Sequence, residues 1–322
     1  MRRNFLRRVK RGALLFTAAL ASGIVTSQQT DFSKVEVRAE QVAPSLYVLF
    51  GAGGNIGVLI GDDGTVIIDD QFSQMAPKIG AAIALLTDKP VRFVINTHWQ
   101  GDHTGSNEAF GRGGSVIIAQ ENTRKRLSTR QFVDFFKMES APAAPAGLPI
   151  VTFTESVDLH LDGEDIAVVH VPNAHTDSDA VLYFRHANVV HTGDVYTNTG
   201  YPFIDTGTGG SIDGMIAAGA QILARIDEQT KVIPGHGPLA KKADVQSRQA
   251  MLVTVRERIA ALLRKHKTLQ QAIAAKPTAE FDASYFKAGP FTPDVWVQSV
   301  YLDLARSLAR TSTRSPVKSA KG

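Results

Sequence analysis

The chain has 322 residues, of which 43% are hydrophobic and 20% are charged, a composition typical of a globular protein. It contains no cysteine, which excludes disulfide bonds, thiolate nucleophiles and cysteine-ligated zinc. Without cysteine, any metal ion would have to be held by histidine, aspartate, glutamate or weaker oxygen ligands. The formal net charge is +4.

The first 27 residues have the pattern of an export signal. A segment with six basic residues and no acidic one precedes a short apolar run and then small residues. The letters RRNFL resemble a twin-arginine signal, and an arginine-rich general secretory signal is the alternative. Cleavage could follow Ala21 or Ser27. We therefore expect a periplasmic or secreted protein with no stable membrane anchor after processing.

The positive charge of the whole chain is concentrated in this segment. Removing its six basic residues would change the formal net charge from +4 to −2. The high isoelectric point therefore gives no reason to expect a nucleic-acid partner, which would require a basic patch on the folded domain. Residues 311–322 are basic, small and polar, and predict a disordered tail. One folded domain is expected between signal and tail, over residues 28–310.

Short apolar runs separated by turn residues dominate the first half. The predicted elements are, in order, strands within residues 46–70, a helix over 75–89 that ends before Pro90, strands over 91–98 and 115–120, and a helix over 121–136. Residues 50–55, FGAGGN, predict either a mobile flap or a plain hairpin turn. An alanine- and proline-rich stretch over residues 139–149 then predicts a linker or excursion between two halves.

The second half again begins with strands and continues with helices. The predicted elements are strands over residues 150–153, 157–163, 165–172, 180–186 and 188–194, a helix over 211–227, a strand and loop over 230–237, helical structure over about 242–275 and a last helix over 293–310. Ser211 or Asp213 is a plausible N-cap of the first of these helices. Two mixed sheets packed face to face, with helices outside, are the natural layering of such a pattern.

Four histidines lie in loops that follow apolar strands: His98, His103, His175 and His236. Loops at the ends of strands can converge on one point. Asp194 also follows a strand, and a buried aspartate needs a charged partner such as a dication. Imidazole and carboxylate ligands together favour zinc, with iron and manganese as alternatives. Any one of these histidines alone would be read as structural, so the prediction of a metal site depends on the ordered set.

Five ordered motifs carry a family resemblance: GTVIIDD, HWQGDH, AHTDSD, HTGD and PGHG. Together they resemble the metallo-β-lactamase-fold superfamily of metallohydrolases, over roughly residues 36–240. The resemblance implies an α/β fold, a four-layer αββα sandwich of two mixed β-sheets flanked by helices. It is specific for the fold and not for the substrate.

The resemblance also implies a pair of metal ions. The implied ligands are His98, His175 and a bridging Asp194 for the first ion, and Asp102, His103, His236 and Asp194 for the second. Asp69 or Asp70 matches an aspartate near the site, and we expect it to support the loop by hydrogen bonds. Gln100 departs from the family pattern, because it stands where the second histidine of HxHxDH is found. An amide oxygen is a weak zinc ligand, so we predict that Gln100 is a weak or lost ligand and that one zinc ion binds tightly and a second more weakly.

The implied activity is that of a zinc-dependent hydrolase outside the cytoplasm. It would cleave an ester, lactone or amide/lactam carbonyl of a small-molecule substrate with a metal-bound hydroxide. Asp102 is the candidate catalytic residue, since it could steer or accept a proton. Tyr196 and Tyr201 are candidate substrate contacts.

Other functions remain open at this point. A β-lactamase needs a cation for the carboxylate of its substrate, and residues 186–224 contain no lysine or arginine, so that activity is possible but not favoured. Export argues against nucleases and glutathione thioesterases, whose substrates are cytoplasmic. A catalytically weakened metal-binding module and a di-iron oxidoreductase are the remaining classes, although the sequence shows no accompanying flavin domain.

Overall fold

A computed structural model describes residues 30–286 and 291–313, with side chains up to Arg310. The predicted signal, residues 1–27, and residues 314–322 of the predicted tail lie outside the described residues. Contacts divide the chain into Met1–Asp31 and Phe32–Gly322, and every element below belongs to the second unit. In the described part of the chain, no helix has both the length and the hydropathy needed to span a membrane.

Two mixed sheets form the centre of the described structure. The first has the spatial order β1 (Arg38–Ala43), β2 (Leu46–Phe50), β3 (Ile56–Gly61), β4 (Gly64–Ile68), β5 (Val91–Asn96), β6 (Val116–Gln120) and β9 (Val151–Phe153). The second has the order β10 (Ser156–Leu161), β11 (Glu164–His170), β12 (Ala180–Phe184), β13 (Val189–His191), β14 (Lys231–Ile233) and β15 (Ala240–Lys241). A separate hairpin consists of β7 (Gln131–Val133) and β8 (Met138–Ser140). Strands β4, β5, β6 and β9 are parallel, as are β13 and β14, and the other neighbours are antiparallel.

Helices supply the remaining layers and the short turns near the strand ends. They are α1 (Ala76–Ala84), α2 (Gly101–Thr104), α3 (Asn107–Arg112), α4 (Glu121–Leu127), α5 (Ile212–Arg225), α6 (Lys242–Arg264), α7 (Leu269–Ala274), α8 (Asp282–Tyr285) and α9 (Pro293–Thr313). Ser211 is the N-cap of α5, because its hydroxyl accepts a hydrogen bond from the N–H of Gly214 at 2.9 Å.

The core divides into three parts because successive side chains of a strand point to opposite faces. In β4, Ile68 packs in the core between the two sheets, which also contains Leu182 of β12. Its neighbour Ile67 packs in the core under α1 with Ile79. On the far side, Val190 of β13 packs in the core that includes α5, α6 and α9. The predicted αββα sandwich is therefore confirmed.

Several predicted boundaries differ from the structure. The helix predicted over residues 121–136 ends at Leu127, where the Ser128 hydroxyl donates to the carbonyl of Arg124, and the β-branched and aromatic residues that follow pair as the β7–β8 hairpin. Strand β9 pairs with β6 in the first sheet, so residues 139–149 do not separate the two sheets. The last helix continues to Thr313, three residues into the predicted tail.

The candidate metal centre

The predicted ligands lie in segments that follow strands of both sheets. Strand β5 leads into His98 and then into α2, which carries Asp102 and His103. The second sheet supplies the others: His175 after β11, Asp194 in a 3-10 turn after β13 and His236 after β14. The structure brings all six side chains together at one place, although they span 138 positions of the sequence between His98 and His236.

Asp69 organises the ligands of the first sheet. Its carboxylate accepts hydrogen bonds from the Thr97 N–H at 2.7 Å, from the Thr97 hydroxyl at 2.8 Å and from Nδ1 of His103 at 2.8 Å. Because the Thr97 hydroxyl donates to Asp69, it can accept a hydrogen bond from Nδ1 of His98, 3.0 Å away. Asp69 has a φ of 64°, a left-handed conformation that aspartate tolerates better than most residues. Asp69 therefore holds the ligands directly, whereas Asp70 supports the same loop by accepting a hydrogen bond from the N–H of Ser106. Both imidazoles present Nε2 to the site.

His175 is oriented in the same way by the second sheet. Its Nδ1 donates to the backbone carbonyl of Phe203 at 2.9 Å, which leaves Nε2 for the site. Nε2 of His98 and Oδ1 of Asp194 are buried and have no hydrogen-bond partner among the described residues. Buried polar atoms are almost always paired, so these unpaired lone pairs fit a site that holds metal ions.

Ligand atoms of Asp102, His103 and His236 lie close enough together to hold one ion, and Asp194 lies beside the two imidazoles. Nε2 of His103 and Nε2 of His236 are 3.2 Å apart, and each lies 3.4 Å from Oδ1 of Asp194. Oδ2 of Asp102 lies 3.2 Å from Nε2 of His236 and 3.7 Å from Nε2 of His103. Ligands at the usual zinc bond lengths are about 3.3 Å from one another. These residues therefore fit the second of the two predicted ions.

The other half of the site contains Gln100. Its amide oxygen lies 3.1 Å from Nε2 of His175, which is itself 3.8 Å from Oδ2 of Asp194. The amide nitrogen of Gln100 donates to the buried carboxylate of Asp205 at 3.2 Å, and this fixes which end of the amide faces His175. Nδ1 of His175 already donates to a carbonyl, so a neutral imidazole carries a lone pair on Nε2. That lone pair would face the amide oxygen of Gln100 directly unless a proton or a metal ion lies between them. His98, whose ring centre is 4.8 Å from that of His175, completes the first site. This site has one imidazole fewer than the HxHxDH pattern would supply.

The electrostatics of the cluster favour positive charge. Burial opposes the charged form, but the carboxylates of Asp194 and Asp102 raise the pKa of His236 to about 10 and raise the pKa of His103 well above its usual value. In turn, these imidazoles overcome burial and hold the pKa of Asp102 and the pKa of Asp194 below the usual range. Burial, with the neighbouring imidazoles, keeps the pKa of His98 well below 6.5. The two carboxylates therefore attract either protons or metal cations to this point.

A cavity of about 470 Å³ opens onto Asp102, Asp194 and His236. Tyr201 lines it, although its hydroxyl donates to Asp282 at 2.7 Å. Tyr196 does not line it. Contrary to its prediction as a substrate contact, its side chain is buried in the core between the second sheet and its helices, because the short turn that holds Asp194 directs it away from the cavity.

The glycine-rich loop 50–55 is packed against the ligands and does not form a free flap. The N–H of Gly54 donates to the carbonyl of Asp102 at 2.9 Å, and a Cβ at Gly54 would lie 2.2 Å from Cε1 of His103. The side-chain amide of Asn55 donates to the carbonyl of Pro234 at 2.8 Å, which ties this loop to the one that carries His236. Of the two sequence-based alternatives, the structure favours the fixed turn.

Sequence reasoning missed two features of the site. Asp205, which orients Gln100, lies in the stretch PFIDTGTGG, where an aspartate after an apolar run was the only signal. The β7–β8 hairpin, which contributes Phe136 to the cavity, was assigned to a helix.

Comparisons with known proteins agree with this fold. The Metallo-beta-lactamase superfamily profile matches residues 50–236, more than half of the chain. A hydroxyacylglutathione hydrolase of Polaromonas sp. is 28% identical over 173 residues, which are 50% of this chain and 57% of that protein. This chain thus spans little more than half of that relative.

Two solved structures show the same fold at low identity. A metallo-beta-lactamase from Pontibacter korlensis matches with a TM-score of 0.54 and 17% identity, over 67% of this chain and 99% of that chain. The sec-alkylsulfatase Pisa1 from Pseudomonas sp. matches with a TM-score of 0.60 and 17% identity, over 87% of this chain and 52% of that chain. The ordered ligands, the two-sheet sandwich and the profile match together place the chain in the metallo-beta-lactamase superfamily, as its motifs predicted.

Proposed function

We propose that the chain is a zinc-dependent hydrolase that cleaves the carbonyl bond of an ester, lactone or amide substrate outside the cytoplasm. The observation that carries this proposal is the convergence of four imidazoles and two carboxylates, with buried Nε2 and Oδ1 lone pairs unpaired, at the floor of an open cavity. Hydrolase activity of the curated relative supports the reaction class.

The protein groups can be assigned distinct roles. Bound zinc would supply a water nucleophile with a pKa near 7 and would polarise the carbonyl. Asp102, whose side chain is partly exposed and lines the cavity, is positioned to accept a proton from water and to return it to the leaving group. Asp194, with its two oxygens directed to His103 and His175, would join the two metal sites.

The metal sites would be unequal. The site formed by Asp102, His103, His236 and Asp194 has only charged or imidazole ligands, whereas the other depends on the amide oxygen of Gln100. One tightly held zinc ion and a second weaker one are therefore part of the proposal. The alternative, a metal-binding module without catalysis, would have the same tight site but no turnover.

The test is hydrolysis by protein of defined zinc content. A panel of esters, lactones, lactams, thioesters and alkyl sulfates is assayed with metal-free protein and with one or two zinc equivalents. We expect turnover of a carbonyl substrate that depends on zinc and is lost in Asp194→Asn. The control Asp213→Asn alters a carboxylate that pairs with Arg256 on the helical face, and it should keep full activity. Absence of turnover across the panel with zinc bound would contradict the proposal in favour of the binding module.

Export is tested separately. The full-length chain is produced in a bacterial host, and the periplasmic fraction is analysed by N-terminal sequencing. A processed N-terminus near residue 21 or 27 is expected, and Arg2→Lys combined with Arg3→Lys should retain the protein in the cytoplasm if the signal is of the twin-arginine type. An unprocessed cytoplasmic wild-type chain would overturn this part of the proposal.

A further inference from the structure

The charged residues of the cavity are confined to the metal centre. Among the described lining residues, the acidic and imidazole side chains are Asp102, Asp194 and His236, all candidate ligands, and there is no lysine or arginine. The lining beyond them is neutral, and seven of its residues are aromatic. A substrate carboxylate in this outer part would lose water without gaining a charged partner, which is costly.

The nearest buried cation is already engaged elsewhere. Arg248 is buried, and its guanidinium donates to the carbonyls of Thr197 and Gly200 while lying 4.6 Å from the centre of the Tyr285 ring. It therefore supports the cavity wall from behind. The hydroxyls of the two lining tyrosines are engaged as well, since Tyr201 bonds to Asp282 and Tyr285 bonds to Ser247, so these side chains offer the cavity mainly their rings.

Three phenylalanines form a continuous aromatic wall from the metal centre to the surface. The ring of Phe203 lies 5.6 Å from the ring of His175, 5.1 Å from that of Phe136 and 5.3 Å from that of Phe291. Phe136, at the end of the β7–β8 hairpin, remains 42% exposed. Such exposed apolar surface at the edge of a cavity is typical of a binding site whose ligand completes the burial.

We propose that this site selects uncharged substrates with an extended alkyl or aryl group, which packs on the aromatic wall of Phe136, Phe203 and Phe291 while the scissile carbonyl lies over the metal centre. Water adds to the carbonyl and the carbon–oxygen bond to the leaving group breaks, giving a carboxylic acid and an alcohol. The cavity volume of about 470 Å³ is within the range of sites that enclose a small molecule. This inference rests on the proposed hydrolase function for its kinetic test and stands alone in its binding test.

The kinetic test compares 4-nitrophenyl acetate, butanoate and octanoate with the 4-nitrophenyl monoester of octanedioic acid. We expect kcat/KM of zinc-loaded protein to rise two- to fourfold per added methylene until the cavity is filled, as burial of apolar surface predicts. The terminal carboxylate should lower kcat/KM at least about tenfold relative to octanoate. Phe136→Ala should lower the octanoate-to-acetate ratio, whereas the control Phe132→Ala, on the same hairpin but outside the cavity lining, should leave that ratio unchanged.

The binding test is independent of turnover. The neutral fluorophore N-phenyl-1-naphthylamine should bind the zinc-loaded protein and be displaced by decan-2-one but not by acetone, and Phe136→Ala should weaken its binding while Phe132→Ala should not. A chain-length-independent rate, a preference for the carboxylate-bearing ester, or no binding of the neutral probe would overturn the inference. If no ester is hydrolysed but the probe binds as expected, the preference for apolar ligands stands, and the hydrolase proposal is decided by the wider substrate panel.

Discussion

The amide oxygen of Gln100 lies 3.1 Å from Nε2 of His175, while the amide nitrogen is held by Asp205. The amide nitrogen can only donate hydrogen bonds, and it donates to the carboxylate of Asp205. This bond orients the amide so that its oxygen faces the candidate metal centre. Gln100 thus occupies the position of a ligand with a weaker donor atom, and the consequences of that exchange can be measured.

Replacing Gln100 with histidine should strengthen the first metal site. An imidazole at this position is a better zinc ligand, and Asp205 is placed to accept its other N–H. We expect the affinity of the first site for its zinc ion to rise about tenfold or more, and hydrolysis to rise at limiting zinc. Elemental analysis after dialysis measures the metal, and Gln41→His on the edge strand β1 controls for an added surface imidazole. Two tightly held zinc ions in the wild type would contradict the expected difference between the sites.

Asp69→Asn should weaken the second metal site, which contains His103, whereas the control Asp70→Asn should not. The substitution removes the carboxylate that orients His103 and Thr97, and asparagine tolerates the left-handed backbone at this position. Zinc affinity should fall about 10- to 100-fold, measured by competition with a chromogenic chelator. Asp70→Asn is the matched control, because burial raises the pKa of Asp70 well above 3.8 and the neutral amide can still accept the hydrogen bond from Ser106. Equal losses in both variants would refute the assigned role of Asp69.

Gly54→Ala should damage the centre by steric contact. The new Cβ would lie 2.2 Å from Cε1 of His103, so either the imidazole or the loop must move. We expect weaker zinc retention and a loss of unfolding free energy of about 1–3 kcal/mol in urea denaturation. Gly101→Ala, in the turn that carries Asp102, has open space around its Cβ and should retain metal and stability. Retention of both properties by Gly54→Ala would mean that the loop is a flap after all.

Zinc binding should release protons and weaken in acid. In the metal-free protein the carboxylates raise the pKa of His236 to about 10 and raise the pKa of His103 well above 6.5, so this pair of imidazoles holds a proton near neutral pH that zinc must displace. Affinity should therefore fall as pH is lowered. Calorimetric titrations in two buffers of different ionisation enthalpy should give different apparent heats, and the difference should shrink in His236→Gln. Equal heats for the wild type would show that no proton is released.

The convergence of the candidate ligands was predictable because each belongs to a short motif at a strand end. HWQGDH supplies three of them within six residues, and HTGD and PGHG each place one directly after an apolar strand. The partner of Gln100 was not predictable in this way. Asp205 is 105 positions away and meets Gln100 only through the packing of two separate loops.

The hairpin that shapes the cavity was misread for a related reason. Residues 128–136 continue a pattern compatible with helix, and local sequence gives little warning that the chain turns at Ser128. The chain instead forms the local β7–β8 hairpin, and the tertiary contacts of Phe136 with Phe203 and Phe291 override the weak helix propensity. Tyr196 lies two positions after Asp194, at the end of the same 3-10 turn, and its side chain is buried in the core and does not line the cavity.

The metal ligands come from both sheets, and this has a consequence for the order of folding. His98, Asp102 and His103 follow a strand of the first sheet, whereas His175, Asp194 and His236 follow strands of the second. Neither sheet alone contains a complete set of candidate ligands for either proposed ion, so we expect tight metal binding only after the sheets have docked. Contacts between residues so distant in sequence form slowly. The appearance of tightly bound metal during refolding should therefore report when the two sheets dock.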